Sequence, residues 1–265
     1  MVSSIYDRVE PDLAADGIGR VTIGGLPITV LDRQQNARMM CDAAMERPRG
    51  GRPLYLTSAN GEVLARCYRE PEMAELFLAA DQISADGQPM VFASRHLCAT
   101  ALPERVATTD LFHDVARIAQ DEGLSFYMLG ADEDENARAV EAVRRLYPDL
   151  DIVGHSHGYL TGEALDAKID EINQLRPDIL WLAMGVPNEQ RFMVEHGDRL
   201  TGVGVVKTSG GLFNFLSGKN RRAPGWMQAM GLEWAWRIGQ EPTRLFGRYF
   251  VTNPIAIVAM MRASA

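Results

Sequence analysis

The sequence predicts an α/β protein with a mostly parallel sheet flanked by helices. Apolar runs of strand length, each ending at small or polar residues, recur along the 265 residues, and helical patterns lie between several of them. Strands that alternate with helices favour a parallel sheet with helices on both faces. The stretch "ILWLAMG" (179–185) is almost continuously apolar, which is typical of a strand buried on both faces.

Each element follows from its local pattern. Helical spacing puts Met73, Leu76, Phe77 and Ala80 on one face, so we expect a helix over 72–83. Similar spacing predicts helices over 134–148 and 164–177. Strands are expected within five apolar runs, at 53–61, 125–133, 150–158, 178–187 and 203–211. In this order the elements predict a Rossmann-like sheet.

Composition indicates the compartment. The three cysteines, an odd number without metal-ligand spacing, favour a reducing environment over a disulfide framework. The first 20 residues carry acids and no apolar segment, which is unlike a signal peptide. No window approaches the roughly 18 consecutive apolar residues of a membrane span. We therefore expect a cytoplasmic protein.

Charge divides the chain near residue 219. The net charge is −8, but 219–265 hold seven basic and two acidic residues, which gives +5 there and leaves −13 for 1–218. We expect an α/β catalytic core at 1–218, with 1–20 as a flexible extension, and a helical appendage at 219–265. Arginines interleaved with tryptophans in the appendage favour contact with phosphates or a membrane interface, and a solvated helical face explains the pattern equally well. The acidic remainder argues against a nucleic-acid partner.

An Asp-Gly pair lies between two apolar segments in "SADGQPMV" (84–91). Asp86 is either a turn or cap residue, as Asp-Gly pairs favour, or a functional carboxylate at a junction of elements. Ligands of open α/β sheets bind outside the carboxyl ends of the strands. The polar and glycine residues at that rim include Ser58, Asn60 and Gly185.

The sequence lacks the motifs of several common enzyme classes. No G-x-G-x-x-G turn, P-loop, G-x-S-x-G elbow or H-E-x-x-H is present, which disfavours a nicotinamide enzyme and several hydrolase classes. The candidates that remain are Ser58, Asn60, Asp86, Arg105, Asp110, the turn "GVPNEQ" (185–190) and the arginines of the appendage. These residues predict an α/β enzyme for an anionic ligand.

Two local patterns resemble metal sites. Asp132-Glu133-Asp134 spells the D-x-D pattern of metal-dependent enzymes that act on nucleotide sugars, but acids in a first helical turn also complement the helix dipole. His155 and His157 would point the same way on a strand, and no third ligand is suggested nearby. We favour a helix start for the first pattern and a loop pair for the second.

Several motifs in this order resemble the WecG/TagA/CpsF family of bacterial glycosyltransferases, glycosyltransferase family 26. The resemblance covers roughly residues 22 to 250, and its last motif, with R-A-P followed by G-L-E-W, x-W-R and E-P-x-R-L, is the most specific. The motifs are "SANGEV" (58–63), "ADGQPMVFASR" (85–95), "ERVATTDLF" (104–112), "YPDLDIVGHSHGYL" (147–160), "PDILWLAMGVPNEQRFM" (177–193) and "FNFLSGKNRRAPGWMQAMGLEWAWRIGQEPTRLFGRY" (213–249).

The resemblance implies a reaction. It implies an inverting enzyme without a metal or other cofactor, which transfers a sugar from a UDP-sugar to a polyprenyl-diphosphate-linked saccharide in surface or exopolysaccharide synthesis. The expected location is cytoplasmic, peripheral on the inner face of the cytoplasmic membrane, with an anionic membrane surface as a partner and homo-oligomerisation left open. UDP-glucose and UDP-N-acetylmannosamine both remain candidate donors.

The resemblance also implies residue roles. Asp86 becomes the catalytic base, and the donor site is expected at Ser58, Asn60, Arg105, Gly185 and Gln190. The family's P-K-Q-E turn reads Pro-Asn-Glu-Gln at 187–190, so the lysine is absent and the Gln–Glu order is exchanged. Arg237, Arg244 and Arg248 are expected to stabilise the departing diphosphate, and their spacing puts them near one helical face if a helix continues through Pro242.

Two alternatives stay open. One is a metal-dependent transferase that uses Asp132 and Asp134. The other is a non-catalytic binder of lipid-linked sugars that serves as a scaffold for polysaccharide assembly, and the altered turn at 187–190 favours this view.

Overall fold

The computed structural model describes residues 17–265, except for the side chains of 244–246 and 248. The described residues form eight strands and twelve α-helices, and the sheet is mostly parallel, so the predicted α/β, Rossmann-like class is confirmed. The predicted N-terminal extension at 1–20 falls mainly outside the described residues, and the first strand begins at Arg20.

The chain divides into two compact units. The first contains 17–33 of the described residues together with Ser58–Ala107 and Arg222–Ala265, and the second contains Gln34–Thr57 and Thr108–Arg221. The C-terminal helices therefore share a unit with the first strands. The boundary expected between 218 and 219 stays a prediction about the core and its appendage.

The first unit is a short sheet covered by helices. Strands β1 (Arg20–Ile23) and β2 (Leu26–Thr29) form an antiparallel hairpin, and β2 runs parallel to β4 (Gln82–Ala85). Gly24 and Gly25 make the hairpin turn with positive φ values of 58° and 86°, which glycine adopts without strain. The helices are α2 (Gly61–Arg69), α3 (Pro71–Leu78), α4 (Gln88–Leu97), α10 (Gly225–Ala229), α11 (Glu233–Gln240) and α12 (Pro242–Arg262).

The chain terminus is bonded into this unit. Thr22 and Ala265 exchange two backbone hydrogen bonds of 3.0 Å each, and α12 packs against α2. A Cβ on Gly61 would lie 3.6 Å from the Ala256 side chain, which shows how closely the two helices approach. The last helix is therefore part of the packing of the first unit.

The second unit is a parallel sheet with the order β3-β8-β7-β5-β6. Its strands are β3 (Leu54–Ala59, of which the last two residues belong to the first unit), β5 (Ser125–Gly130), β6 (Asp151–Ser156), β7 (Ile179–Ala183) and β8 (Val205–Thr208). Its helices are α1 (Arg33–Glu46), α5 (Thr108–Glu122), α6 (Glu133–Leu146), α7 (Gly162–Leu175), α8 (Asn188–His196) and α9 (Leu212–Leu216), with a 3₁₀ turn at Gly197–Arg199. All five predicted strands and the helices expected at 134–148 and 164–177 are present.

An aromatic cluster marks the core of the second unit. Phe112, Phe126 and Trp181 are fully buried, with ring centroids 4.8 to 6.0 Å apart in tilted and edge-to-face arrangements. Every residue of β7 is buried, as its uninterrupted hydrophobicity predicts.

The helix expected at 72–83 is partly wrong. α3 ends at Leu78, and Gln82–Ala85 forms strand β4, in which every residue is buried. Ile83 pairs with Ile28 of β2. Pairing with a strand that is distant in the sequence therefore makes 82–85 extended, although the local pattern favours a helix there. As a result, Asp86 directly follows a strand.

Candidate active site

Asp86 lies where strand β4 ends. Its backbone N–H donates a 2.8 Å hydrogen bond to the carbonyl of Ala59, at the end of β3. Its side chain is 28% exposed, although β4 itself is wholly buried. The carboxylate is therefore held at the edge of the sheet with access to solvent, which a base for an incoming substrate requires.

Asn60 lies in the same corner. It is the N-cap of α2, and its side-chain oxygen accepts a 3.1 Å hydrogen bond from the backbone N–H of Val63. A Cβ on Gly87 would lie 3.4 Å from the Cα of Asn60, so the Asp-Gly turn packs directly against this cap. Ser58 is two residues before Asn60, in the last part of β3. The structure thus brings Ser58, Asn60 and Asp86 to adjoining strand ends.

Arg105 lies beside Asp86 because the next residue, Val106, is hydrogen-bonded to the end of β4. Val106 donates a 2.8 Å hydrogen bond to the carbonyl of Ala85, which sets the preceding arginine beside Asp86. The Nε of Arg105 is 3.7 Å from an Asp86 carboxylate oxygen, and the arginine side chain is only 13% exposed. This Nε is buried and makes no hydrogen bond with any described group.

Glu233, which the sequence reasoning missed, completes the cluster together with Arg222, one of the candidate arginines of the appendage. One carboxylate oxygen of Glu233 accepts a 2.6 Å bond from Arg105 Nη2, and the other accepts a 3.1 Å bond from Arg222 Nε. Arg222 also donates a 2.5 Å bond to the side chain of Gln228. We call the four charged residues Asp86, Arg105, Arg222 and Glu233 the charge cluster. One signal in the sequence could have found Glu233, since it is one of only two acids in the basic segment 219–265.

The three arginines expected to stabilise the leaving group lie on two helices. Pro242 is the first residue of α12, and α11 ends at Gln240. Proline is favoured at the first position of a helix, where no backbone N–H is needed for an intrahelical bond. The single helical face expected for them therefore does not form. Arg237 is partly buried in the last turn of α11, and the side chains of Arg244 and Arg248 lie outside the described residues.

In the second unit, the turn at 185–190 packs tightly beneath the carboxyl ends of β7 and β8. Gln190 is fully buried, and its amide donates a 3.2 Å bond to Thr57 Oγ1. Gly185 has a φ of 77° and Gly210 one of 58°, and an added Cβ on either would meet nothing within 4 Å among the described residues. Open space therefore lies above both glycines, whereas the predicted donor residue Gln190 points into the protein.

Glu189 holds this turn and was not singled out by sequence reasoning. Its carboxylate accepts backbone hydrogen bonds from Gly185 (3.2 Å) and Gly210 (2.9 Å) while the side chain is only 2% exposed. Burial raises the pKa of Glu189 to about 7, and the bond from Gly210 and the charge of Lys207 oppose that effect. The sequence signal that could have found Glu189 is the Glu–Gln order at 189–190, which is the reverse of the order in the family's turn.

The acids at 132–134 begin helix α6. Asp132 is the N-cap, and its carboxylate accepts a 2.8 Å bond from the backbone N–H of Glu135, so the helix-start interpretation is confirmed. The ammonium of Lys219 lies 3.9 Å from Asp132, which is an unfavourable neighbour for a divalent cation. Among residues 17–265, no group of three or more His, Cys, Asp or Glu side chains is arranged to hold a metal.

Helix α12 carries an exposed apolar stripe. Its buried side includes Ala256 and Ala259, whereas large apolar side chains on the other side are 38% to 74% exposed. The members of the stripe are Phe250, Val251, Ile257, Val258 and Met261. Within the described part of the chain, no helix has the length and hydropathy needed to cross a bilayer.

Comparison with known proteins gives the site its context. Two similar proteins are named N-acetylglucosaminyldiphosphoundecaprenol N-acetyl-beta-D-mannosaminyltransferase. The protein from Bacillus subtilis (strain 168) is 29% identical over 71% of this chain and 72% of its own length. The protein from Bacillus spizizenii (strain ATCC 23059 / NRRL B-14472 / W23) is 30% identical over 80% of this chain and 81% of its own length. The family model "Glycosyl transferase WecG/TagA/CpsF family" matches residues 21–265, and the chain therefore belongs to this family of glycosyltransferases.

Proposed function

We propose that this glycosyltransferase moves N-acetylmannosamine, or a closely related N-acetylhexosamine, from a UDP-sugar to a polyprenyl-diphosphate-linked N-acetylglucosamine. The names of the two Bacillus relatives support the lipid-linked acceptor and the N-acetylmannosaminyl group. The single observation that carries the proposal is the partly exposed carboxylate of Asp86 at the end of β4, 3.7 Å from the guanidinium of Arg105.

The proposed chemistry is one displacement. Asp86 takes the proton of the acceptor hydroxyl as its oxygen bonds to the anomeric carbon of the donor. The bond from that carbon to the UDP oxygen breaks, and UDP leaves with the electron pair. Inversion of an α-linked donor gives a β-linked product, in agreement with the "beta" in the relatives' names.

Cationic side chains are proposed to stabilise the departing UDP without a metal. The candidates are Arg237, Arg244 and Arg248, since guanidinium groups form strong bidentate bonds with phosphates. The capping role of Asp132 and the nearby Lys219 weigh against a metal site at Asp132 and Asp134. Ser58, Asn60, Arg105, Gly185 and Gln190 remain the proposed donor-site residues, with Gln190 acting through the turn that it anchors.

The exposed stripe of α12 supports peripheral attachment to an anionic membrane. Phe250 and Met261, at either end of the stripe, are 74% and 71% exposed, and apolar side chains of this kind insert at the boundary of headgroups and acyl chains. The +5 charge of 219–265 adds attraction to anionic lipids. The proposed location is the inner face of the cytoplasmic membrane, where a lipid-linked acceptor would be reached.

The test is transfer from UDP-N-acetylmannosamine to a short-chain polyprenyl-diphosphate N-acetylglucosamine, with the product measured by mass spectrometry. Asp86→Asn should lower kcat at least about 100-fold, the contribution typical of a general base, and should leave donor affinity nearly unchanged. Asp151→Asn is the matched control, because Asp151 is an exposed aspartate at the first position of β6, whereas Asp86 follows the last residue of β4. Near-normal turnover by Asp86→Asn would remove Asp86 as the base, and loss of wild-type turnover in excess chelator would reject the metal-free reaction.

A further inference from the structure

Glu233 stands at the first position of α11 and bridges two arginines that are far away in the sequence. Its two oxygens accept bonds of 2.6 Å from Arg105 and 3.1 Å from Arg222. The side chains of Glu233, Arg105 and Arg222 are 19%, 13% and 24% exposed. Because both oxygens of this half-buried carboxylate bind a guanidinium, the contact fixes Arg105 more firmly than a single exposed ion pair would.

The contact determines how Arg105 faces Asp86. Arg105 presents its terminal nitrogen Nη2 to Glu233, while its Nε lies 3.7 Å from the carboxylate of Asp86. That separation is longer than a hydrogen bond, and the Nε makes none with any described group. The guanidinium therefore attracts Asp86 electrostatically without forming the short two-bond pair of which arginine and a carboxylate are capable.

We propose that Glu233 is a positioning residue for the catalytic base, which keeps Arg105 from pairing fully with Asp86. The inference rests on the proposed function of Asp86. In the charge cluster, Glu233 draws the guanidinium toward α11, so that Arg105 does not add a short two-bond pair to the carboxylate that accepts the proton of the acceptor. The C-terminal segment would then contribute to turnover through an acid as well as through its arginines.

Removal of the charge of Glu233 should allow Arg105 to pair fully with Asp86. Arg105 would turn to Asp86, since an unpaired buried guanidinium is costly. The charged groups around Asp86 include Arg105 from the loop after α4 and, behind it, Glu233 from α11 and Arg222 from the loop before α10. A carboxylate that gains a short charged bond keeps its charge to lower pH and is a weaker base.

The experiment compares three variants with the wild type in the transfer assay with UDP-N-acetylmannosamine and the short-chain lipid acceptor. Glu233→Gln should lower kcat between about tenfold and a hundredfold, as expected for a small displacement of a catalytic group, with the KM for the donor little changed. The acidic limb of its kcat/KM profile should move down by about one pH unit. Glu233→Asp should restore part of kcat and the wild-type position of the limb.

Glu241→Gln is the matched control, because Glu241 is the other acid of the segment 219–265 and lies outside the charge cluster. It should keep wild-type kcat and the wild-type pH profile. If Glu233→Gln melts far below the wild type, the test uses Glu233→Asp alone. Because this variant keeps the charge, the acidic limb of its kcat/KM profile should stay at the wild-type pH, and its kcat should fall less than tenfold.

The outcomes separate this inference from the proposed function. Absence of transfer by the wild type would overturn both. A wild-type enzyme that is active and is inactivated by Asp86→Asn, with Glu233→Gln indistinguishable from Glu241→Gln, would overturn the inference alone. A lower KM for the donor with unchanged kcat in Glu233→Gln would also overturn it, because Glu233 would then only compete with the substrate for Arg105.

Discussion

The buried carboxyl of Glu189 makes a quantitative prediction about stability. Burial raises its pKa from 4.5 to about 7 in the folded protein. Between these values the folded state binds a proton that the unfolded state has lost, so the free energy of unfolding falls as pH rises. A tenfold change in proton affinity is worth about 1.4 kcal/mol. The stability from this group is therefore complete below pH 4.5, and about 3 kcal/mol of it is lost as pH rises through 7.

The perturbation is Glu189→Gln, which removes the titration and keeps the shape. The oxygen nearest both Gly185 and Gly210 can remain an acceptor, whereas the new amide faces the amide of Gln190, at 3.4 Å from the present carboxylate. That contact should cost about 1 kcal/mol at any pH. The difference in unfolding free energy, wild type minus variant, should therefore fall by about 2.5 kcal/mol from pH 5 to pH 8.

Urea unfolding at pH 5, 6, 7 and 8, followed by circular dichroism, measures this difference. Glu195→Gln on the same helix is the control, because the side chain of Glu195 is 65% exposed. The difference in unfolding free energy between the wild type and this variant should hardly change with pH. A difference for Glu189→Gln that is independent of pH would refute the reasoning. It would mean that the glycine N–H groups and Lys207 fully compensate the burial.

Two further predictions concern the membrane face and the core. Replacing Phe250, Ile257 and Met261 together by serine should weaken binding to anionic vesicles at least about 100-fold, because each inserted apolar side chain contributes on the order of 1 to 2 kcal/mol. Sedimentation with phosphatidylglycerol vesicles tests this, high salt should release the wild type, and equal binding by the variant would contradict the proposed attachment. Asn136→Ala should lower the free energy of unfolding by about 2 to 3 kcal/mol, since the amide lies within hydrogen-bond distance of three carbonyls at the ends of β5 and β6. Urea unfolding checks that value, and a loss below about 0.5 kcal/mol would contradict it.

The strands of the larger sheet and two of its helices, α6 and α7, could be predicted from local patterns. Continuous apolar runs and helical spacing located β3 and β5 to β8, because burial on both faces leaves a signal within a few residues. The short strands β1, β2 and β4 were not predicted, since four residues carry too little pattern to outweigh a neighbouring helical one. The strand β4 is visible only through its pairing with β2.

The sequence by itself determined the fold class, the family and the candidate base, because hydrophobic periodicity and short motifs are local properties of the chain. Only the tertiary structure decided the partners of these residues. Arg105 and Glu233 are 128 positions apart, and no local pattern records which carboxylate a guanidinium meets. Likewise, the turn at 187–190 showed an exchanged pair of residues, but only the packing of β7 and β8 buries Glu189 and raises its pKa. Burial and ion pairing depend on contacts between distant segments, and these exist only in the folded chain.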